Sequence, residues 1–100
     1  PYNPHIVALR VLYRFQFDTS NGKQLIDRLM AFAQKLPGQV QAFIATPCFN
    51  LGSFYAKQAQ YTRAKLLLQS ALKLKPNFPQ AKNLLGQIYT KQNKISPQQF

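Results

Sequence analysis

The sequence predicts an all-α protein: antiparallel helical hairpins stacked as a short solenoid, with about five or six helices. Three observations predict it. Apolar and small residues between Cys48 and Pro76 fall at the spacing of two helices folded back on each other. Part of that pattern returns after 34 residues, Leu51, Gly52 and Tyr55 recurring as Leu85, Gly86 and Tyr89, and Lys57 and Gln58 as Lys91 and Gln92. A self-match at that period marks a helical repeat array. Turn-forming residues separate the apolar runs, at Asp18 to Gly22, at Pro37 and Gly38, and at Pro76.

The first helix is expected from His5 to about Phe17, after an extended lead-in at Tyr2 to Pro4. Ile6, Leu9, Leu12 and Tyr13 form its apolar stripe, and Arg10 and Arg14 lie one turn apart on a solvated side. The run Asp-Thr-Ser-Asn-Gly closes this helix and caps the next. A second helix, from about Lys23 to Leu36, carries Leu25, Ile26, Leu29, Phe32, Ala33 and Leu36 inward. Its Lys23 and Asp27 make an i,i+4 pair worth a few tenths of a kcal/mol. This pair of helices has a long loop and no Gly or Ala at the places of close approach. Residues 1–44 therefore read as a divergent repeat or a helical cap, since a repeat stack needs its terminal apolar face covered.

Gln39 to Ala45 leads into the organising stretch. Pro47 fits the first turn of a helix, where a missing N–H costs little; the alternative is one longer helix that starts near Gln39 and is kinked at Pro47. At about 100° per residue, Cys48, Leu51, Gly52 and Tyr55 share one buried arc, with Phe49, Ser53, Ala56 and Lys57 on the other side. Gly52 costs a helix interior roughly 1 kcal/mol against Ala, so its place in the apolar arc points to a helix crossing closely, near Ala64. From Tyr61 to Leu74 the inward face is Tyr61, Ala64, Leu67, Leu68, Ala71 and Leu72. Pro76 biases Lys75 away from helical ψ and ends that helix. The next one runs from Gln80 to Gln92.

Leu51, Gly52, Tyr55, Tyr61, Ala64, Leu68, Ala71 and Pro76 in this register resemble the signature of the tetratricopeptide repeat (TPR). Cys48 stands at the usual Trp position and Ala59 at the usual second Gly. The resemblance implies a TPR-like solenoid in a single domain: residues 1–44 as hairpin or cap, 45–78 as one full repeat, and 79–100 as an incomplete second repeat. The second copy matches through its first helix only, with Lys82 where an aromatic is usual. Past it, Ile95, Ser96, Pro97 and Gln98 depart from the pattern, so either another helix starts at Pro97 or the chain as given stops partway through a repeat.

The resemblance also implies a function, a non-catalytic protein-interaction or scaffold module whose groove is lined by the first helix of each repeat. Carried over, the groove residues are Phe49, Ser53, Ala56 and Lys57 with Gln80, Asn83, Gln87, Thr90 and Lys91. That surface is polar, uncharged or positive, with Phe49 as an apolar foothold, and suits a peptide or helix carrying acidic groups. The family's two-carboxylate clamp needs a Lys and an Asn one turn apart where this chain has Phe49 and Ser53.

Charge is lopsided: 13 Lys and Arg against Asp18 and Asp27 give a net +11. Such a chain attracts anionic surfaces, so a basic subunit docked on RNA or on an anionic membrane complex is the alternative, with Arg63, Lys65, Lys73 and Lys75 as its contacts. The basic residues are nonetheless dispersed singly, without the run of five or six that marks a nucleic-acid tail. Leu36 to Ala56 is uncharged, yet Pro37, Gly38, Gln39, Gln41, Pro47, Asn50 and Ser53 argue against a membrane span.

Catalytic and metal chemistry find few groups to work with. His5 is the single histidine and Cys48 the single cysteine, which leaves no cysteine-based zinc cluster and no Cys-His or Ser-His-Asp set. Two Asp residues do not readily supply an acid and base pair, and the four glycines form no phosphate-cradling loop. No cofactor is expected. A lone cysteine in a buried register fits a compartment where folding needs no disulfide, such as a bacterial cytoplasm or an organelle interior.

Overall fold

The computed structural model describes residues 3–18 and 20–95, and the expectations for Tyr2 and for Ser96, Pro97 and Gln98 lie outside them. Five helices follow in order: α1 (Pro4–Phe17), α2 (Gly22–Ala33), α3 (Gly38–Lys57), α4 (Tyr61–Leu74) and α5 (Pro79–Ile95). Packing is most extensive between α3 and α4, and α1–α2 and α4–α5 come next. Contacts of α1 with α3 and of α2 with α4 lay the first hairpin along the second. The result measures 55 × 30 × 19 Å, the slab that stacked hairpins produce.

The start of α1 is set by Asn3, whose side chain accepts a hydrogen bond from the His5 N–H at 2.8 Å, and by Pro4 in the first turn. Its buried face differs from the expected one. Ala8, Leu12 and Phe15 are buried, whereas Ile6, Leu9 and Tyr13 face outward. Helix α1 is apolar around most of its circumference, so periodicity offers two stripes. Gly22 helps select the inner one, because a Cβ there would lie 2.9 Å from the Phe15 ring. Gly22 thus supplies the close approach that the first hairpin was expected to lack.

The buried residues of α2 are Gly22, Leu25, Ile26, Leu29, Met30 and Ala33. It ends at Ala33, three residues before Leu36, in a tight turn where the Leu36 N–H donates to the Ala33 carbonyl at 2.9 Å. The Lys23–Asp27 pair forms at 3.1 Å on the surface.

Of the two readings of α3, the structure takes the long one. The helix begins at Gly38, with the Pro37 carbonyl accepting from the Val40 and Gln41 N–H groups at 3.0 Å, and continues through Pro47. An interior proline removes one helical hydrogen bond and costs about 3 kcal/mol. Burial of Ile44 and Ala45 in the turn before Pro47 offsets that cost, which is why local preference does not decide here.

The turn from α3 to α4 puts Ala59 in the left-handed region at φ 60°. The Gln60 N–H donates back to the Tyr55 carbonyl at 3.0 Å, the six-to-one bond of a helix C-terminus closed by a left-handed residue. Along α4 the buried residues are Ala64, Leu67, Leu68, Ser70, Ala71 and Leu74. Gly52 meets α4 as expected, but against Leu68 and Leu67 instead of Ala64: a Cβ on Gly52 would sit 3.1 Å from Leu68 Cγ and 3.3 Å from Leu67 Cβ. The extended backbone of Lys75, before Pro76, ends the helix.

Helix α5 opens with Pro79 and anchors through Phe78, Ala81 and Ile88, all buried. Gly86 and Tyr89, which share the register of Gly52 and Tyr55, are exposed, and nothing lies within 4 Å of a Cβ built on Gly86. Among the described residues no helix packs on that face of α5 as α4 packs on α3.

Candidate functional site

A trough runs between α3 and α5, with Tyr61 at the start of α4 among its lining residues. From α3 it takes Ser53, Ala56 and Lys57, from α4 Tyr61, and from α5 Leu84, Gln87, Ile88 and Lys91, around a cavity of about 250 Å³. Residues 53, 56 and 57 occupy one side of α3 because their spacing keeps them within about 100° of one another. Residues 84, 87, 88 and 91 do the same on α5, as the i, i+3, i+4, i+7 set of a helix face. Ala56, Leu84 and Ile88 give the lining apolar surface, and Lys57 and Lys91, both exposed, line it as well. A lining that combines apolar residues with two lysines can take a short segment of chain bearing an apolar side chain and a carboxylate.

Ser53, Lys57, Gln87 and Lys91 therefore come together as the sequence suggests. Four other expected groove residues do not join them, among them Thr90, which is exposed outside the lining. Phe49 stacks its ring on Phe78, with centroids 5.1 Å apart, so it serves the α3–α5 junction instead of standing free as a foothold. Gln80 and Asn83 are exposed near the start of α5, outside the cavity lining. Conversely, Tyr61, expected on the inward face of its helix, lines the trough, and so do Leu84 and Ile88, which the repeat register did not single out. Their periodicity is that of a buried stripe, and only the open angle between α3 and α5 leaves one edge of that stripe uncovered.

The residues proposed as anionic contacts disperse. Arg63 turns inward: its guanidinium carbon lies 4.6 Å above the Phe15 ring and 5.2 Å from the Tyr55 ring. Its Nη1 donates to the Phe15 carbonyl at 3.1 Å and to the Tyr55 hydroxyl at 2.9 Å, while Nη2 is buried without an acceptor among the described residues. Arg63 is a clamp between the end of α1, α3 and α4, where its charge also faces the negative end of the α1 dipole. A side chain held this way is not part of an outer basic stripe. Lys65 lies 5.5 Å over the Tyr89 ring and Lys75 4.8 Å over the Phe78 ring, each a cation on an aromatic face. Lys73 stays exposed, and with Lys23 and Asp27 it borders a separate depression between α2 and α4. Nothing in the sequence announced the Arg63 clamp, since Phe15 and Arg63 are 48 positions apart.

Cys48 is buried in the α3 core, and desolvation pushes its thiol up to about 12 from an ordinary 9.0. The thiolate is the reactive form, so this cysteine is a packing residue. Among the described residues no three of His, Cys, Asp and Glu gather where they could hold a metal ion. No helix among them is long and apolar enough to cross a membrane.

The hairpin of α3 and α4, with its glycine crossing, left-handed turn and proline stop, defines this as a helical-hairpin repeat protein. The tetratricopeptide repeat family model matches residues 45–78, which take in most of that hairpin and the turn after it, so this stretch is similar to a tetratricopeptide repeat. Repeats of this family mediate protein–protein interactions and are typically non-catalytic. No curated protein and no solved structure matches the chain.

Proposed function

We propose that this chain is a non-catalytic interaction module that binds an acidic peptide or helix of a partner protein in the trough between α3 and α5, as part of assembling a larger complex. In this reading α1 and α2 form the divergent cap, and α5 is the first helix of a second repeat. One observation carries it: two helices one repeat apart contribute Lys57 and Lys91 to the lining of a single cavity that also includes Ala56, Leu84 and Ile88. Charge complementarity then favours carboxylates, and the chain's own acids do not compete, because Asp27 is paired with Lys23 and Asp18 is bonded to Asn21.

The test is fluorescence anisotropy with labelled extended peptides of one length and apolar content, bearing acidic, neutral or basic residues. Acidic peptides should bind best, and Lys57→Ala with Lys91→Ala should weaken them by about tenfold while circular dichroism and Tm hold, both side chains being exposed. Equal affinity for wild type and the double variant would remove the trough from consideration. Docking on RNA or on an anionic membrane complex has weaker support, since Arg63 is held inside the fold and Lys65 and Lys75 each lie over an aromatic ring of the chain itself. It requires RNA or anionic vesicles to bind at low salt with a steep salt dependence.

A further inference from the structure

Helix α1 sets two parallel rows of side chains on its outward side. Tyr13 and Phe17, one turn apart, are 64% and 71% exposed, and their ring centroids lie 5.0 Å apart with the planes inclined at 60°. Arg10 and Arg14, also one turn apart, are exposed beside them. At about 100° per residue all four fall within an arc of about 100°, opposite the buried Ala8, Leu12 and Phe15. Periodicity puts Tyr13 on a buried stripe, and it is the burial of Phe15 instead that turns the Tyr13 ring out. Neither guanidinium has an ion-pair partner among the described residues. Toward the end of the helix, Tyr13, Arg14 and Phe17 border a shallow depression of about 500 Å³ together with Asp18 and Ser20.

We propose that this outer strip of α1 binds single-stranded RNA, with bases stacked on Tyr13 and Phe17, phosphates on Arg10 and Arg14, and a ribose hydroxyl at Asp18 and Ser20. The surface is separate from the α3–α5 trough, and none of Arg63, Lys65, Lys73 and Lys75 takes part in it. An open aromatic ring accepts any base on its π-face, and a guanidinium takes phosphate oxygens through paired N–H groups. Within each row one helical turn advances about 6 Å along the axis, close to the spacing of phosphates along an extended strand. A strand laid along α1 therefore meets the two rows with its two chemistries, bases on one side and phosphates on the other. A duplex keeps its base faces in the stack, so a single strand is selected. Ribose is selected at the end of the strip. The Asp18 carboxylate accepts from the Asn21 N–H at 3.1 Å and from the Asn21 side-chain amide at 3.2 Å, which leaves acceptor positions for a 2′-hydroxyl, with the Ser20 hydroxyl beside it. A net charge of +11 draws a polyanion in. An acidic peptide or an anionic bilayer would also meet the arginines, but would use Tyr13 and Phe17 only as apolar surface, which leucine supplies equally.

The full chain is titrated by fluorescence anisotropy with a labelled oligouridine of about ten nucleotides, with the deoxyuridine oligomer of the same length, and with an RNA duplex; phosphatidylserine vesicles are tested by co-sedimentation. The oligouridine should bind at low salt, and more tightly than the DNA or the duplex. Tyr13→Leu with Phe17→Leu, which keeps the apolar bulk and removes the π-faces, should weaken it by about tenfold or more, since two stacked bases are lost. Arg10→Gln with Arg14→Gln should reduce the slope of log affinity against log salt by about 1.4, two phosphates at about 0.7 each. All four positions are exposed, so circular dichroism and Tm should hold. Lys57→Ala with Lys91→Ala should leave RNA binding in place, which separates this surface from the α3–α5 trough. No binding of oligouridine at low salt, equal affinity for the DNA or the duplex, a leucine variant that binds as wild type does, or an unchanged salt slope in the arginine variant overturns the proposal. Vesicles that bind wild type and the leucine variant alike, with no RNA bound, overturn it in favour of a bilayer.

Discussion

Gly52 and Gly86 stand at the same register, one 34-residue period apart, yet the structure gives them opposite surroundings, and substitution should therefore change stability in opposite directions. A Cβ at position 52 would meet Leu68 Cγ at 3.1 Å, Leu68 Cδ2 at 3.2 Å and Leu67 Cβ at 3.3 Å, all from fully buried side chains. Alanine alone requires a shift of a few tenths of an ångström; leucine adds three further carbons to a closed space. Overpacking of that kind costs about 1–3 kcal/mol, against a helix-propensity gain of somewhat under 1 kcal/mol. Gly52→Leu should therefore lose about 1–2 kcal/mol, or roughly 5–15 °C in Tm for a domain of this size. At Gly86 the space is open, and Gly86→Ala should gain up to about 1 kcal/mol and raise Tm by several degrees. Both are read from thermal and urea unfolding followed by circular dichroism at 222 nm. A Gly52→Leu protein as stable as wild type, or a Gly86→Ala protein less stable, would refute the argument that α4 crosses α3 at Gly52 and that the same face of α5 is open.

Three other perturbations follow from single sites. Arg63→Met keeps the aliphatic stem but removes two hydrogen bonds and two cation–aromatic contacts, and should cost about 2–3 kcal/mol in urea unfolding; a loss below 0.5 kcal/mol would show the clamp to be energetically idle. Ala59→Gly should stabilise by about 0.5–1 kcal/mol: relief of a left-handed Ala is worth about 1–2 kcal/mol, and the added freedom of the unfolded chain takes back less than that. Cys48 bears on alkaline stability. Its folded thiol titrates at about 12 and the unfolded one near 9.0, so the unfolded chain releases the proton first and stability falls as pH rises above 9, by about 1.4 kcal/mol per unit. Unfolding free energies at pH 8 to 10.5 should show that slope in wild type and lose it in Cys48→Ala; parallel slopes would exclude the thiol as the cause.

The parts of the fold that were legible in the sequence are those whose causes are local. The α3–α4 hairpin could be read because Gly52, Ala64, Leu68, Ala71 and Pro76 each state a constraint within one or two turns, and the 34-residue echo states it again. Pro47 misled for the opposite reason, since its local preference is for a helix start and distant contacts at Ile44 and Ala45 overrule it. The face of α1 was not legible at all. With Ile6, Leu9 and Tyr13 on one side and Ala8, Leu12 and Phe15 on the other, the helix carries two valid stripes, and the choice rests on partners elsewhere in the chain. In the candidate site, Lys57 and Lys91 were predictable from register, whereas Leu84 and Ile88 depend on the angle between α3 and α5, which no period encodes.

That same choice at α1 ties the architecture to the surfaces it exposes. Arg63 can bond the Phe15 carbonyl and cover its ring only if Phe15 points into the α3–α4 hairpin, and Phe15 can do so only because position 22 lacks a side chain. Once those contacts place Ala8, Leu12 and Phe15 inward, helical geometry leaves Ile6, Leu9, Tyr13 and Phe17 outward. A chain free to vary these four positions loses nothing in its own core by making them polar, so their apolar character is not explained by the folding of α1 on its neighbours. The residues that dock the first hairpin onto the repeat and the residues that form the outer band are thus two halves of one helix. The first half accounts for the fold, and the second stays on the surface as its geometric consequence.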